Sequence, residues 1–401
     1  MIRHLTINGF KTLVKLELEL GRMNVFVGAN GSGKSNLLEA VGILGSAAFG
    51  RVDDETLLRR GVRPGVPSLY KTAFPSKDKV SRLQFQAISG AGVSYGVSLW
   101  NPIPHPDRAW SDYAWHFTSE LLIGANRKVI VERDEKSNGH LNPSQGLAAL
   151  KTVELPPNAP TLRLMNQLRS YCIHSPNTPS LRGLTQDLQS REPVGLAGGR
   201  LPEAVDELLA TARKRPELAE AMEEVRDLLD WAADFSAAPS VDVRLSPSAA
   251  RSRLVIQFVD RFMADGQNTL TGYDASEGAL YILYFAVLAL HPKAPPCLAV
   301  DNLDQALNPR LAQKLMSAIC SWTKRINGGR QWLVTAHNPA LLDGLPLDDP
   351  ETRLFTVDRD SNGHTVIKRI DLEAAVRLRP NEDWTLSRMW MNGLLGGVPN
   401  V

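Results

Sequence analysis

The 401-residue sequence carries almost no net charge: 45 Lys plus Arg stand against 43 Asp plus Glu, a formal +2. It therefore lacks the general basic excess of a chain that coats nucleic acid, although a local basic patch is not excluded. Cysteine is scarce. Cys172, Cys297 and Cys320 lie far apart and form no CxxC pair, which suggests neither a disulfide framework nor a zinc site. No apolar run approaches the roughly 18 residues that span a bilayer. The opening "MIRHLTINGFKTL" lacks the apolar centre of a signal peptide, so a cytoplasmic protein without membrane contact is expected. Internal repeats and low-complexity tracts are also missing. What is present is 43% hydrophobic and 22% charged, as in an ordinary globular protein. The length suggests two domains, or one large domain with an inserted lobe.

The order of local patterns is that of an α/β protein. "VKLELEL" (14–20) alternates apolar and polar residues and predicts a half-buried strand, and "MNVFVG" reads as a buried one. From Lys34 onward, Leu37, Leu38, Val41 and Leu44 fall at helical spacing. "SRLQFQAIS" and "GVSYGVSLW" predict a hairpin. Residues 101–238 begin Pro-rich and then become strongly helical, with two or more helices expected, interrupted near Pro216. Strand signals resume at "SVDVRLS" and "SRLVIQFV", followed by helix, strand, helix, strand through "QWLVTAH". The expected division is an N-terminal lobe over 1–100, a mostly helical insertion over 101–238 and a C-terminal lobe over 239–401.

"GANGSGKS" (28–35) satisfies G-x-x-x-x-G-K-[ST] between a predicted strand and a predicted helix. Its glycines let backbone N–H groups turn toward phosphates, Lys34 supplies a positive charge, and Ser35 offers a hydroxyl to Mg²⁺. Gly28, Asn30, Gly31, Gly33 and Asn36 complete the expected phosphate-binding set. "CLAVD" ends an apolar strand in Asp301, a carboxylate able to hold Mg²⁺. "ASEGAL" places Ser276 and Gly278 at the head of an apolar helix, where Ser276 is either a plain N-cap or a phosphate contact. "VTAHN" ends another apolar strand at His337, a position that suits a structural histidine as well as a functional one.

Taken in order, the P-loop, Ser276-Glu277-Gly278, Asp301 and His337 resemble the head of an ABC-type ATPase. More narrowly, the lobe from "INGFKTLVKLELEL" through the P-loop and the run from "SEGALYILYFAVLAL" to "QWLVTAHNPALLDGL" resemble the RecF/SMC/OLD-like group of prokaryotic ATPases. The resemblance implies an α/β P-loop fold of the ABC-head type split by a helical insertion, with ATP and Mg²⁺ as ligands. It implies that Asp301 is the Walker B carboxylate and that Ser276 and Gly278 form a signature contributed to a second copy. His337 would sense the γ-phosphate, and a Q-loop glutamine would be Gln84 or Gln86, either of which also reads as a solvent-facing strand residue. Asn302 stands where this group usually has the glutamate that polarises the attacking water. An amide orients water but accepts no proton, and general-base help is worth ~10²–10⁴ in rate. Asp304 is the nearby acid that would substitute for it.

The resemblance further implies a homodimer or higher oligomer. It suggests the sensor of an anti-phage defence system acting on a separately encoded effector such as a nuclease, since no fused nuclease follows the ATPase motifs. A RecF-like repair ATPase that clamps DNA is the alternative, with Arg59, Arg60, Arg251 and Arg253 as candidate contacts.

Overall fold

The computed structural model describes residues 1–65, 67–74, 82–101, 114–134, 140–185, 187, 191–247, 249, 252–325, 329–346, 348–371 and 384–397. An antiparallel sheet has the order β2-β1-β4-β5-β6-β7, built from β1 (Ile2–Phe10), β2 (Leu13–Glu19), β4 (Leu83–Ser89), β5 (Ser94–Trp100), β6 (His116–Ile123) and β7 (Val129–Arg133). The central sheet has the order β15-β14-β3-β13-β12-β8. It comprises β3 (Met23–Val27), β8 (Ile173–His174), β12 (Cys297–Val300), β13 (Gln331–Ala336), β14 (Thr352–Arg359) and β15 (Thr365–Ile370). All its pairs are parallel except β14 with β15. A third sheet joins β9 (Ala232–Pro239), β10 (Leu254–Asp260) and β11 (Thr269–Thr271).

The central sheet is covered on both faces, which is why its strands read as continuous apolar runs. Phe26, Ala299, Leu333 and Phe355 point into one core, and their neighbours Val25, Val27, Leu298 and Val334 into the other. The first core holds helix α1 (Lys34–Phe49), wedged between the central and antiparallel sheets, with α2 (Asp54–Leu58), α3 (Ala148–Lys151) and α4 (Pro160–Ser170) nearby. On the opposite face lie α5 (Thr178–Leu181), α6 (Leu201–Ala212), α7 (Pro216–Leu228), α8 (Glu277–Leu290) and α9 (Pro309–Arg325). Every residue of α8 from Ala279 to Leu290 is buried, because α5, α6, α7 and α9 surround it. At about 1.5–3 kcal/mol for each fully buried large apolar side chain, this helix is a principal stabiliser of its lobe. The buried Arg330 guanidinium caps its C-terminus by donating to the Ala289 and His291 carbonyls, and it also donates to Ala294 O of the loop that follows.

Two features depart from the pattern read in the sequence. Residues 101–238 are not helical throughout: among the described residues, β6 and β7 extend the antiparallel sheet, and β8 adds an edge strand beside β12. Their hydrogen bonds are long-range, so local helical periodicity further along the segment gave no warning of them. The strand expected at "SVDVRLS" lies earlier, because β10 pairs with Ala232–Pro239. The two helices meeting near Pro216 are present as α6 and α7, with Pro216 in the first turn of α7.

One side chain knits the lobes. Buried Gln331, first residue of β13, accepts from Ile2 N at 3.0 Å and donates to Ile2 O and Gly21 O at 2.7 and 2.8 Å. Gln331→Leu would leave three backbone groups without partners in a dry interior, at about 1–3 kcal/mol per uncompensated group, partly relieved by relaxation. A loss of about 2–4 kcal/mol in denaturant unfolding is expected; a change below about 0.5 kcal/mol would show that the lobes are held elsewhere.

Candidate nucleotide site

The loop between β3 and α1 is shaped by glycine where a side chain has no room. At Gly28 a Cβ would lie 2.1 Å from Val357 O of β14, and at Gly33, with φ +113°, 2.1 Å from Thr365 Oγ1 of β15. The loop is thus pressed onto the β14–β15 hairpin, and Arg359 of that hairpin donates to Gly31 O at 2.8 Å. Thr365 Oγ1 donates to Ser32 O (2.7 Å) and lies 2.7 Å from Thr12 Oγ1, which accepts from Asn36 Nδ2 at 2.8 Å. No side chain caps the N-terminus of α1. A helix start left in that condition favours an anion through its free N–H groups and its dipole.

Lys34 is buried and donates to Gly28 O (2.7 Å) and Ala29 O (2.9 Å) of its own loop. Burial pulls its pKa down to about 8, against the opposing pull of Asp301 and Asp304. Ser35 Oγ donates to Asp301 Oδ2 at 2.9 Å. The other Asp301 oxygen accepts from Thr335 Oγ1 at 2.5 Å, and the same hydroxyl accepts from Asn302 N at 2.8 Å. Ser35, Asp301 and Thr335 therefore form one clasp across the carboxyl ends of β3, β12 and β13, where open α/β sheets place their ligands. The residues fit a nucleoside triphosphate with its divalent ion: a donor-lined loop, an ammonium, and a hydroxyl beside a carboxylate.

Asn302 has φ +60°, a backbone region in which asparagine is among the most readily accepted residues after glycine. Its carbonyl accepts from Gln305 N at 3.1 Å, and its side chain makes no hydrogen bond among the described residues. The Asp304 carboxylate accepts from the backbone N–H groups of His337 (3.0 Å) and Asn338 (2.5 Å). It clamps the end of β13 against the turn after β12, a structural task that competes with acting as a base. The His337 ring reaches solvent at the mouth of the site, and its pKa is lowered by its partial burial and by the Lys34 charge.

Other sequence candidates lie elsewhere. Gln84 and Gln86 occupy the solvent face of β4, where Gln84 accepts from Asn8 Nδ2 (3.4 Å) and Gln86 donates to Ser94 Oγ (2.9 Å). Neither makes a hydrogen bond to the P-loop. The segment that does run alongside Asp301 follows β8: Asp301 N donates to His174 O at 3.0 Å. Ser276 is the exposed N-cap of α8, its hydroxyl accepting from Ala279 N at 3.4 Å, with no hydrogen bond to residues 28–36. A Cβ at Gly278 would meet nothing closer than 3.5 Å, so the fold of the single chain does not demand glycine there. Arg60 is no surface contact: it is buried and donates to Thr56 O and Arg169 O. Arg59 pairs with Glu55, and Arg251 lies outside the described residues.

Sequence reasoning passed over Thr335, Thr12, Thr365 and Arg359. The first was in view, two residues before His337, whereas Thr365 and Arg359 come from a hairpin more than 320 residues beyond the P-loop. A cavity of about 580 Å³ beside Asn36 was also missed; Lys11, Thr12, Arg63, Tyr70, Phe74 and Arg359 line it. Buried Glu39 of α1 pairs with both Lys11 and Arg63 and fixes these two cations in its wall.

A family model described as "AAA domain, putative AbiEii toxin, Type IV TA system" matches residues 23–124 and 182–343, more than half of the chain and both halves of this site. The chain belongs to this family. It is 42% identical over 80 residues to the DNA replication and repair protein RecF of Halothermothrix orenii, a stretch of 20% of each chain. With RecF of Paenarthrobacter aurescens it shares 42% identity over 104 residues, 25% of each. The matched stretch spans no more than a quarter of these relatives' length. The SmcHead solved with the C-winged helix domain of ScpA superposes with a TM-score of 0.53 at 15% identity, covering 93% of this chain and 99% of that one. The fold is thus the ABC-type P-loop ATPase head of the RecF/SMC kind.

The depressed Lys34 pKa gives this family member's site a pH signature. A bound polyphosphate favours the ammonium, so the pKa rises on binding and protons are taken up above about pH 8. Affinity for ATP should be flat below about pH 7 and fall toward about tenfold per unit above pH 8. Calorimetry in two buffers of different ionisation enthalpy checks this; no proton uptake at about pH 8.5 would contradict it.

Proposed function

We propose that the chain binds Mg-ATP at the P-loop, that two copies enclose the nucleotide, and that hydrolysis is slow. The observation that carries this reading is the convergence of Lys34, Ser35 and Asp301 at the uncapped start of α1. Lys34 would exchange its loop carbonyls for phosphate oxygens, Ser35 and Asp301 would hold the Mg²⁺, and the adjoining cavity suits the nucleoside. The metal, when bound, neutralises phosphate charge. The exposed position of Ser276, with no hydrogen bond to the P-loop of its own chain, supports a signature that serves a second copy. His337 would offer a ring N–H to the terminal phosphate.

Asn302 supports slow turnover, since no neighbouring carboxylate among the described residues of this turn stands free in its place: Asp301 is held by two hydroxyls and Asp304 by two backbone amides. A long-lived ATP state suits a switch, and the finer role we propose is the sensor of a prokaryotic anti-phage defence system governing a separately encoded effector such as a nuclease. The toxin and toxin–antitoxin terms in the family's description support that reading. A DNA-clamping repair role is the second reading, favoured by the similarity to RecF. ATP-dependent retention on duplex DNA that weakens with salt would favour the second reading over the first.

Lys34→Ala should abolish ATP binding while the protein stays folded; undiminished affinity would remove the reading. ATP should tighten self-association, measured by mass in solution, and Ser276→Arg should prevent this while leaving the ATP affinity of the dilute, unassociated chain unchanged.

Asn302→Glu should raise turnover by part of the ~10²–10⁴-fold available to a general base, with little change in affinity. It should also cost about 1–2 kcal/mol of stability, because glutamate is less tolerant of φ +60°. Fast wild-type hydrolysis that Asp304→Asn abolishes and Asn302→Glu leaves untouched would assign the base to Asp304.

A further inference from the structure

Ser276 is lent outward, yet its position is set from within by a segment that no motif marks. Residues 174–182 leave β8 and pass beneath the head of α8. At the near end, His174 O accepts from Asp301 N, and the buried His174 ring sits 2.7 Å (Nδ1) from Tyr284 Oη of α8. Further on, Tyr281 Oη donates to Pro176 O at 3.0 Å. Thr178 Oγ1 donates to Glu277, the residue after Ser276. Arg182 closes the sequence, donating from Nη2 to Ala275 O, the residue before Ser276, at 3.0 Å. Ser276 is therefore bracketed by two side chains at either end of one short element, α5, which Asn177 caps by accepting from Ser180 N at 3.0 Å.

The bracket is specific in its chemistry. Ala275 is buried, and its carbonyl precedes the first turn of a helix whose other flanks are apolar. Arg182 Nε is also buried and has no partner among the described residues, so the guanidinium spends its aligned Nη2 on this single carbonyl. Such a single bond from a planar guanidinium with few rotamers open to it in a part-buried position holds the Ala275 carbonyl in place more than it contributes energy. The remainder of α8 is gripped all round by α5, α6, α7 and α9, and at its far end by Arg330. Its N-terminal turn is the part left to a few polar contacts.

Resting on the two-copy site proposed above, we propose that Arg182, seconded by Thr178, is a positioning residue for the signature turn, acting on the nucleotide of the partner and not on that of its own chain. Through His174 O and Asp301 N, the same segment touches the metal-binding turn of its own site, so it lies between the site a chain fills and the site it completes.

The experiment uses full-length chains in mixed pairs. A Lys34→Ala chain paired with a wild-type chain contains one competent site, formed by the wild-type P-loop and the Ser276 of the variant. Arg182→Met is then placed on one chain or the other, and ATP turnover and the lifetime of the ATP-bound pair are measured. On the Lys34→Ala chain, which donates the signature, it should lower both by about tenfold or more. On the wild-type chain, which holds the nucleotide, it should change them less than about twofold, with ATP affinity unaltered. Arg182→Lys should recover part of the loss, because an amine reaches the carbonyl without fixing its direction. Equal losses in both placements, or none in either, would overturn the proposal. If Arg182→Met does not fold, Thr178→Val in the same two placements decides in the same way. Absence of ATP-dependent pairing between wild-type chains would instead remove the two-copy reading itself, before any Arg182 variant is compared.

Discussion

The carboxylate of Asp301 is the point on which the site is assembled. It accepts Ser35 Oγ with one oxygen and Thr335 Oγ1 with the other, and so joins the ends of three strands that are distant in sequence. Each oxygen is satisfied by a neutral hydroxyl. Among the described residues no cation pairs with the carboxylate directly, and the Lys34 ammonium is turned onto loop carbonyls. A carboxylate in that condition keeps its charge available for a divalent ion. The Lys34 charge, in turn, is held at a cost of burial that a phosphate would offset. The geometry is thus electrostatically poised for an anion and a metal together more than for either alone.

Backbone conformation limits which residues suit the turn after β12. The chain there passes through φ +60° at Asn302 and again through φ +61° at Ala306. Thr335 holds the Asn302 amide, and Asp304 reaches across to the amides of His337 and Asn338, so the turn is pinned to β13 at both ends. A residue chosen for a left-handed position and a residue chosen for catalysis need not coincide. Asparagine satisfies the first requirement well and the second poorly.

How much of this was legible depends on how local each signal was. The P-loop, the buried strands β3 and β12, the α6–α7 break at Pro216 and the all-round burial of α8 are written in contiguous residues, and periodicity exposes them. The clasp was legible in its parts, Ser35 and Asp301, but Thr335 looked like an ordinary strand residue. Gln84 and Gln86 came from the resemblance as Q-loop candidates, whereas the alternation of β4 gave them the solvent-facing places in which they lie. The strands β6, β7 and β8 were hidden inside a segment dominated by helices, because two-residue β8 has no periodicity of its own and exists only through β12. The hairpin carrying Arg359 and Thr365 reaches the P-loop by tertiary packing that no spacing rule records.

The two ends of α8 meet different fates, and the difference bears on how such a head can respond to its ligand. At the C-terminus, Arg330 satisfies the Ala289 and His291 carbonyls and, through Ala294, the loop beyond, tying that end to the start of β13. At the N-terminus the contacts are single hydrogen bonds that tie the helix head to Thr178, Arg182 and Pro176, all on one short connection. A close-packed helix transmits displacement as a rigid body, since bending it would open voids that cost more than shifting it. Any adjustment near Asp301 that moves residues 174–182 would therefore be expressed at Ser276 as a small change in direction about a fixed far end.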